Sequence, residues 1–335
     1  MRISLIIDKL YQDNMIFDEN NWVINRDDCQ RPLIELKKQL LYKSIFLDTV
    51  DITTVSLCDL ALFINIPHPE DQYFKEVLEL NKPCYVIINE LSMILPQNAS
   101  LKMHTQFKKI FTYQQGLLDN KRIFKLNYSF NFEEKVKKFN PVAFDDKKLC
   151  ILIAGYKKLD HPLELYSERI KTIRWFERNH SSEFDLYGQG WNNYGFLRSL
   201  ITRKFPSYKG SIVEKQEVLA KYKFNICYEN AKNVPGWITE KIFDSFFAGT
   251  VPVYWGWKGV CNYIPSNCFI NREDFKNHNE LYSYMSSMSI SEYEGYVNNI
   301  FSFLENVKSD INYEFGINYF VSTIEREILK DFNNK

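Results

Sequence analysis

Lys223-Phe224-Asn225-Ile226-Cys227-Tyr228-Glu229-Asn230, a short loop to Gly236, then Trp237-Ile238-Thr239-Glu240-Lys241-Ile242-Phe243-Asp244-Ser245-Phe246-Phe247-Ala248-Gly249 and Val251-Pro252-Val253-Tyr254-Trp255-Gly256 reads as strand, loop, helix, strand. Phe224, Ile226 and Tyr228 alternate with Asn225, Cys227 and Glu229, the two-residue period of a strand. Ile242, Phe243, Phe246 and Phe247 form one helical stripe. Thr239 suits the N-cap and Gly249 the C-terminal cap. The second strand follows at once, as in a crossover between parallel strands, and ligands of such sheets sit beyond the carboxyl ends of the strands. That end carries Glu229, Asn230, Trp237, Glu240 and Lys241. A lysine in the first turn of a helix opposes the helix dipole. Two readings account for it: an anion bound between the lysine and the helix N-terminus, or an ammonium that points into water or pairs with neighbouring carboxylates. The residues alone leave both open.

Upstream, residues 149–155 form an apolar run without alternation, as expected of a strand covered on both faces. Pro162 then suits the first position of a helix, along which Tyr166, Ile170, Ile173 and Phe176 keep helical spacing. Arg169, Lys171, Arg174 and Arg178 ride on the same helix, and a solvated face accounts for most of them. Residues 184–188 read as another strand and 213–221 as a helix. Downstream, residues 267–271 read as the last strand, and two amphipathic helices close the chain, one with Tyr293, Val297, Ile300 and Leu304, the other with Ile317, Phe320, Val321, Ile324 and Ile328.

The first half alternates strands (2–8, about 44–50, 60–64, 84–88, 110–112) with helices (32–42 and 70–80), the pattern of a parallel α/β sheet. The strand at 84–88 ends in Asn89-Glu90, which puts a carboxylate where active-site groups of such sheets collect; a solvated loop acid is the plain alternative. Residues 130–146 are charged and irregular, with Pro141 among them, and read as a linker. The expected organisation is therefore an α/β domain over 1–142, a second α/β domain over 148–312, and a packing helix over 313–335.

The chain has 335 residues with 42 basic and 42 acidic side chains. A balanced chain has no global field to attract nucleic acid, so any bound anion must be met by a local cluster. Seven scattered cysteines lack a Cys-x-x-Cys pair and read as reduced thiols, consistent with a cytoplasmic location. The five histidines have no metal-ligand spacing. No apolar run approaches the roughly 20 residues of a membrane helix, so no integral membrane segment is expected.

Tyr228-Glu229-Asn230, Trp237-Ile238-Thr239-Glu240-Lys241 and Val251-Pro252-Val253 together resemble the donor-binding motif of the α1,3/4-fucosyltransferases, glycosyltransferase family ten. The resemblance implies a GT-B fold, with two Rossmann-like α/β domains facing across a cleft, and transfer of fucose from GDP-fucose to a hydroxyl of a glycan acceptor. It implies that Lys241 and Arg169 meet the donor diphosphate, with Arg174 as the alternative arginine. Glu240 would accept from ribose hydroxyls, Glu229 and Asn230 would contact the donor, and Trp237 would cover it. The family's general base is a glutamate just after a first-domain strand. Here the family's Gly-Glu-Asn is replaced by Ile88-Asn89-Glu90, which makes Glu90 the best-placed candidate. The chain contains no Asp-x-Asp triplet, so no obligatory metal is expected. Another nucleotide sugar, or a non-catalytic nucleotide-sugar- or glycan-binding protein, stands as the alternative.

Overall fold

The computed structural model describes residues 1–192 and 205–332. The chain divides into two compact units, residues 1–132 with 310–335, and residues 133–309. Among the described residues each unit is built on one six-stranded, all-parallel sheet.

The first sheet comprises β1 (Arg2–Ile6), β2 (Phe46–Thr49), β3 (Leu60–Ile64), β4 (Cys84–Ile88), β5 (Lys109–Thr112) and β6 (Ile123–Lys125), in the order β2-β1-β3-β4-β5-β6. Helices α1 (Arg31–Tyr42), α2 (Gln72–Glu79) and α3 (Leu101–His104) lie between these strands. β3 and β4 read as unbroken apolar runs because helices cover both faces. On one face Ile3, Leu5, Tyr85, Ile87 and Phe111 pack with Leu36 and Leu40 of α1. On the other, Phe74 and Phe107 stack and Phe63 meets both edge-on, with centroids 5.6–5.8 Å apart.

The second unit begins inside α4 (Phe132–Lys137) and contains β7 (Lys148–Ile153), α5 (Tyr166–Asn179), β8 (Phe184–Tyr187), β9 (Tyr208–Gly210), α6 (Lys215–Leu219), β10 (Tyr222–Tyr228), α7 (Glu240–Phe247), β11 (Val251–Trp255), β12 (Ile270–Asn271), α8 (His278–Ser287) and α9 (Ile290–Val307). Its strand order is β12-β11-β10-β7-β8-β9. The last helix, α10 (Ile317–Phe332), belongs to the first unit, where Phe320, Val321, Ile324 and Ile328 enter the sheet core. Its Glu327, 1% exposed, pairs with Lys109 of β5 at 2.9 Å.

Two expectations meet a different arrangement. The unit boundary falls at residue 132, inside the segment read as a linker and ahead of the expected break at 142–148, because that segment carries α4. The helix expected from Pro162 begins at Tyr166. Glu164 forms an antiparallel bridge with Ala231: Lys232 N–H donates to the Leu163 carbonyl (2.8 Å) and Leu165 N–H to the Asn230 carbonyl (3.1 Å). A backbone engaged in that bridge cannot also close helical turns.

Candidate functional site

The strand order of the second sheet fixes where a ligand can enter. From β7 the chain moves outward through β8 to β9, then returns to the other flank of β7 with β10 and continues to β11 and β12. The direction of winding reverses between β7 and β10, and at such a switch point the loops leave a crevice beyond the carboxyl ends. Arg169 of α5, Glu229 and Asn230 after β10, and the first turn of α7 all converge there.

Glu229 continues the β10 ladder, donating its N–H to the Trp255 carbonyl at 2.8 Å, and has no exposed surface. Its carboxylate accepts from the Thr239 N–H (2.9 Å) and the Thr239 hydroxyl (2.8 Å). The Lys241 ammonium lies 3.4 Å from Glu229 Oε2 and 3.3 Å from Glu240 Oε1, and donates to Thr239 Oγ1 at 2.9 Å. Thr239 is the N-cap of α7, but its hydroxyl serves Glu229 rather than the helix. A carboxylate facing a helix N-terminus is favourable, and here it also explains how a lysine is tolerated in the first turn. Desolvation pushes Glu229 up, against the pull of Lys241. Desolvation would lower Lys241, but Glu240 and Glu229 outweigh it and raise the ammonium. Desolvation would raise Glu240, but Lys241 and Lys215 hold its carboxyl down at about 2. At neutral pH Lys241 and Glu240 are therefore charged.

Arg169 is 4% exposed. One guanidinium nitrogen donates to the Tyr228 carbonyl (2.7 Å) and to Asn230 Oδ1 (3.0 Å), and the group lies over the Tyr166 ring at 5.0 Å. It makes no ion pair among the described residues, and burial disfavours its charge. Arg174, the alternative, points elsewhere: it pairs with Glu177 at 2.7 Å and stacks on Phe205. Helical geometry separates the two, because residues five apart lie on different faces.

The remaining expectations are met unevenly. Asn230 is partly exposed and reaches the crevice as the acceptor for Arg169. Glu240 keeps about a third of its side chain exposed. Glu229 and Trp237, expected against a ligand, are 0% and 1% exposed and present no face to one in this conformation. Glu229 is a clamp that joins β10, the N-cap and Lys241. Gly256 is required beside it, since a Cβ there would stand 2.3 Å from the Tyr254 hydroxyl and 2.8 Å from Glu229 Cγ. Gly188 (φ +129°) is likewise required by the backbone, because a Cβ would overlap the Ala154 carbonyl at 2.0 Å.

In the first unit Glu90 follows β4 and is half-buried. Its N–H and that of Asn89 donate to Asn65 Oδ1 at 3.0 Å each. Asn98, fully buried, donates to the Glu90 carbonyl (2.9 Å) and to Asn65 Oδ1 (3.1 Å), and accepts from Ile66 N–H (2.9 Å). Glu90 Oε1 accepts from the Leu91 N–H at 2.9 Å. Sequence reasoning missed Asn65 and Asn98; the only local signal was an asparagine at the end of β3.

Among the described residues no three His, Cys, Asp or Glu side chains are grouped to hold a metal, and no helix is long and apolar enough to cross a membrane.

Residues 162–309 match the family model for the C-terminal part of glycosyltransferase family 10 (fucosyltransferase). The chain is 41% identical over 75 residues to the α-(1,3)-fucosyltransferase FucT of Helicobacter pylori, a match covering 22% of this chain and 16% of that protein. It is 28% identical over 155 residues to the mouse 4-galactosyl-N-acetylglucosaminide 3-α-L-fucosyltransferase 9, covering 44% of this chain and 36% of the relative. The matches thus span well under half of these relatives' lengths. A solved α1,3-fucosyltransferase with GDP-fucose superposes with a TM-score of 0.54 at 17% identity over 92% of this chain and 90% of that one, a likeness of fold. The fold is α/β of the GT-B type, with a Rossmann-like sheet in each unit. The segment matched by the family model contains Arg169, the Glu229–Thr239–Lys241 clamp and the switch-point crevice, so the part of the chain that resembles glycosyltransferase family 10, the fucosyltransferases, is the part that carries this site.

Proposed function

We propose that this protein is an inverting fucosyltransferase that moves fucose from GDP-fucose to a glycan hydroxyl, forming an α-(1,3) linkage to N-acetylglucosamine or glucose without an obligatory metal. One observation carries the reading: a buried arginine without an ion-pair partner among the described residues lies at the switch point with a lysine-bearing helix N-terminus, inside the family-10 segment. That is a prepared place for a diphosphate.

In the proposed reaction the acceptor oxygen attacks the anomeric carbon of fucose as the bond from that carbon to the β-phosphate oxygen breaks. The acceptor proton passes to Glu90, the general base. The charge arriving on the β-phosphate is met by Lys241 and Arg169. Glu240 accepts from the ribose hydroxyls, and Asn230, fixed by Arg169, contacts the donor. Glu229 acts through Lys241. Displacement from the face opposite the leaving group inverts the anomeric centre.

The test is a thermal-shift panel followed by a transfer assay, since a ligand that binds only the folded chain raises its Tm. GDP and GDP-fucose should stabilise the protein and UDP-sugars should not, and a neutral glycan acceptor should gain fucose. Equal stabilisation by UDP-glucose would overturn the donor assignment. Donor binding without transfer or hydrolysis would mark a binding protein.

A further inference from the structure

Beyond the ends of β11 and β12 the chain encloses an open cavity of about 830 Å³, within the roughly 300–1,000 Å³ of ligand sites. It is formed entirely by the second unit. Trp257, Phe269, Phe275, Tyr284 and Tyr296 give it aromatic walls. The Phe275 and Tyr284 rings are 5.3 Å apart, and the Tyr284 and Tyr296 hydroxyls share a 3.0 Å hydrogen bond that sets both rings. Tyr254, also on the wall, is 2% exposed, and its hydroxyl has no acceptor among the described residues.

The polar groups define the ligand. Asn271 donates its amide to Asp274 at 2.8 Å, and Lys258 stands 3.8 Å from Glu273. Lys258 is the one cation against the two carboxylates among the lining residues, and the buried Arg272 behind the wall is engaged by the Phe275 carbonyl at 2.7 Å, so the wall offers no cluster of cations for a phosphate. Both carboxylates are already engaged, by an amide and an ammonium, so they offer hydrogen-bond acceptors rather than an uncompensated charge for a cation. Aromatic faces interleaved with acceptors match a pyranose ring, whose C–H face stacks while its hydroxyls donate.

We propose that this cavity is an accessory carbohydrate-binding site that holds a neutral segment of the acceptor glycan remote from the hydroxyl that reacts. Assignment of the sugar to the acceptor rests on the transfer reaction proposed above; sugar binding itself does not. It gives the protein a preference for long acceptors.

The full chain is titrated by calorimetry with an N-acetyllactosamine octasaccharide and with the corresponding disaccharide, and KM is measured for both. Tyr284→Ala should weaken octasaccharide binding and raise its KM about tenfold, equivalent to about 1.4 kcal/mol, while disaccharide KM, kcat and GDP affinity stay unchanged. Tyr284→Phe and Glu273→Gln separate the ring from the polar contacts and should each give a smaller rise. Unchanged octasaccharide affinity in both Tyr284→Ala and Glu273→Gln overturns the proposal. So does an equal loss for the disaccharide, or tighter binding of choline or a lysine peptide than of the octasaccharide. Octasaccharide binding that Tyr284→Ala removes, in a protein that transfers no fucose, keeps the sugar site and overturns only its link to an acceptor.

Discussion

The carboxyl ends of the two sheets carry opposite kinds of chemistry. In the second unit the loops are tied by charge: Glu229, Glu240, Lys241 and Arg169 gather around one helix N-terminus, and Thr239 joins Glu229 to Lys241. In the first unit the loop that bears Glu90 is tied by neutral amides, with Asn65 and Asn98 bonding its backbone. The difference suits two tasks. In the proposed reaction, cations that wait for a diphosphate need carboxylates to balance them until it arrives. A carboxylate proposed to take a proton is better fixed through its backbone by amides, because a close cation would depress a carboxylate's pKa and weaken it as a base.

The sharpest way to break this comparison is Glu90→Gln, which keeps shape and removes the base. Transfer should fall by roughly 10²–10⁴-fold, with GDP-fucose affinity unchanged by calorimetry. Transfer near the wild-type rate would reduce the asparagine network to loop structure alone.

Next come the charges of the second unit. Arg169→Ala and Lys241→Ala should each lower kcat by about 10²–10³-fold, measured as donor turnover. Lys241→Ala should also lower stability by about 3 kcal/mol in urea unfolding, because Glu229 is left buried without its cation. Arg174→Ala should leave turnover unaltered, since its partners are Glu177 and Phe205. If Arg174 proves essential and Arg169 dispensable, the crevice is not where the donor binds.

A charge cluster between α10 and the start of β5 separates ionic structure from ionic function. Glu327 of α10 meets Lys109 and Lys330 at 2.9 Å each and Arg326 at 3.1 Å. Desolvation would raise its pKa, but Lys109, Lys330 and Arg326 bring it below the ordinary 4.5. A lowered folded pKa contributes stability above the unfolded value, and that stability is lost as pH falls through the folded one. Glu327→Gln should therefore cost about 3 kcal/mol at pH 7, and the gap to wild type should close below pH 4.5, the ordinary value. A gap that persists at low pH would mean packing, not charge, holds α10.

Asn98→Ala should have a smaller effect, about 1–3 kcal/mol of stability from buried partners left unpaired, with a loss of kcat rather than of donor affinity. The smallest expected effect is that of EDTA on transfer, which should be close to none. Complete loss restored by Mn²⁺ would show that a metal shares the diphosphate with Lys241 and Arg169.

The alternation of strands and helices, and the crossover from β10 through α7 to β11, were legible because both rest on local periodicity and on caps such as Thr239 and Gly249. Lys241 was legible as an oddity, a cation where the dipole disfavours one. The sequence could not say which of the two readings of Lys241 holds in the unliganded chain, because its partner Glu229 lies twelve residues away and is brought to it by a loop. Nor could local spacing bring out the link between Asn65 and the Glu90 loop, whose hydrogen bonds to Asn89, Glu90 and Asn98 span 24 to 33 residues. Pro162 looked like a helix start because its own chemistry permits one; the bridge between Glu164 and Ala231, a long-range pairing, decided otherwise. The sequence by itself determined the element types and the donor-motif residues, since those depend on neighbours within a few positions. Only the tertiary structure decided that α10 returns to the first unit, that Glu229 and Trp237 are buried, and that Arg169 rather than Arg174 reaches the switch point. Those outcomes depend on strand order and on which surfaces can be removed from water together, and neither is written in any single stretch of the chain.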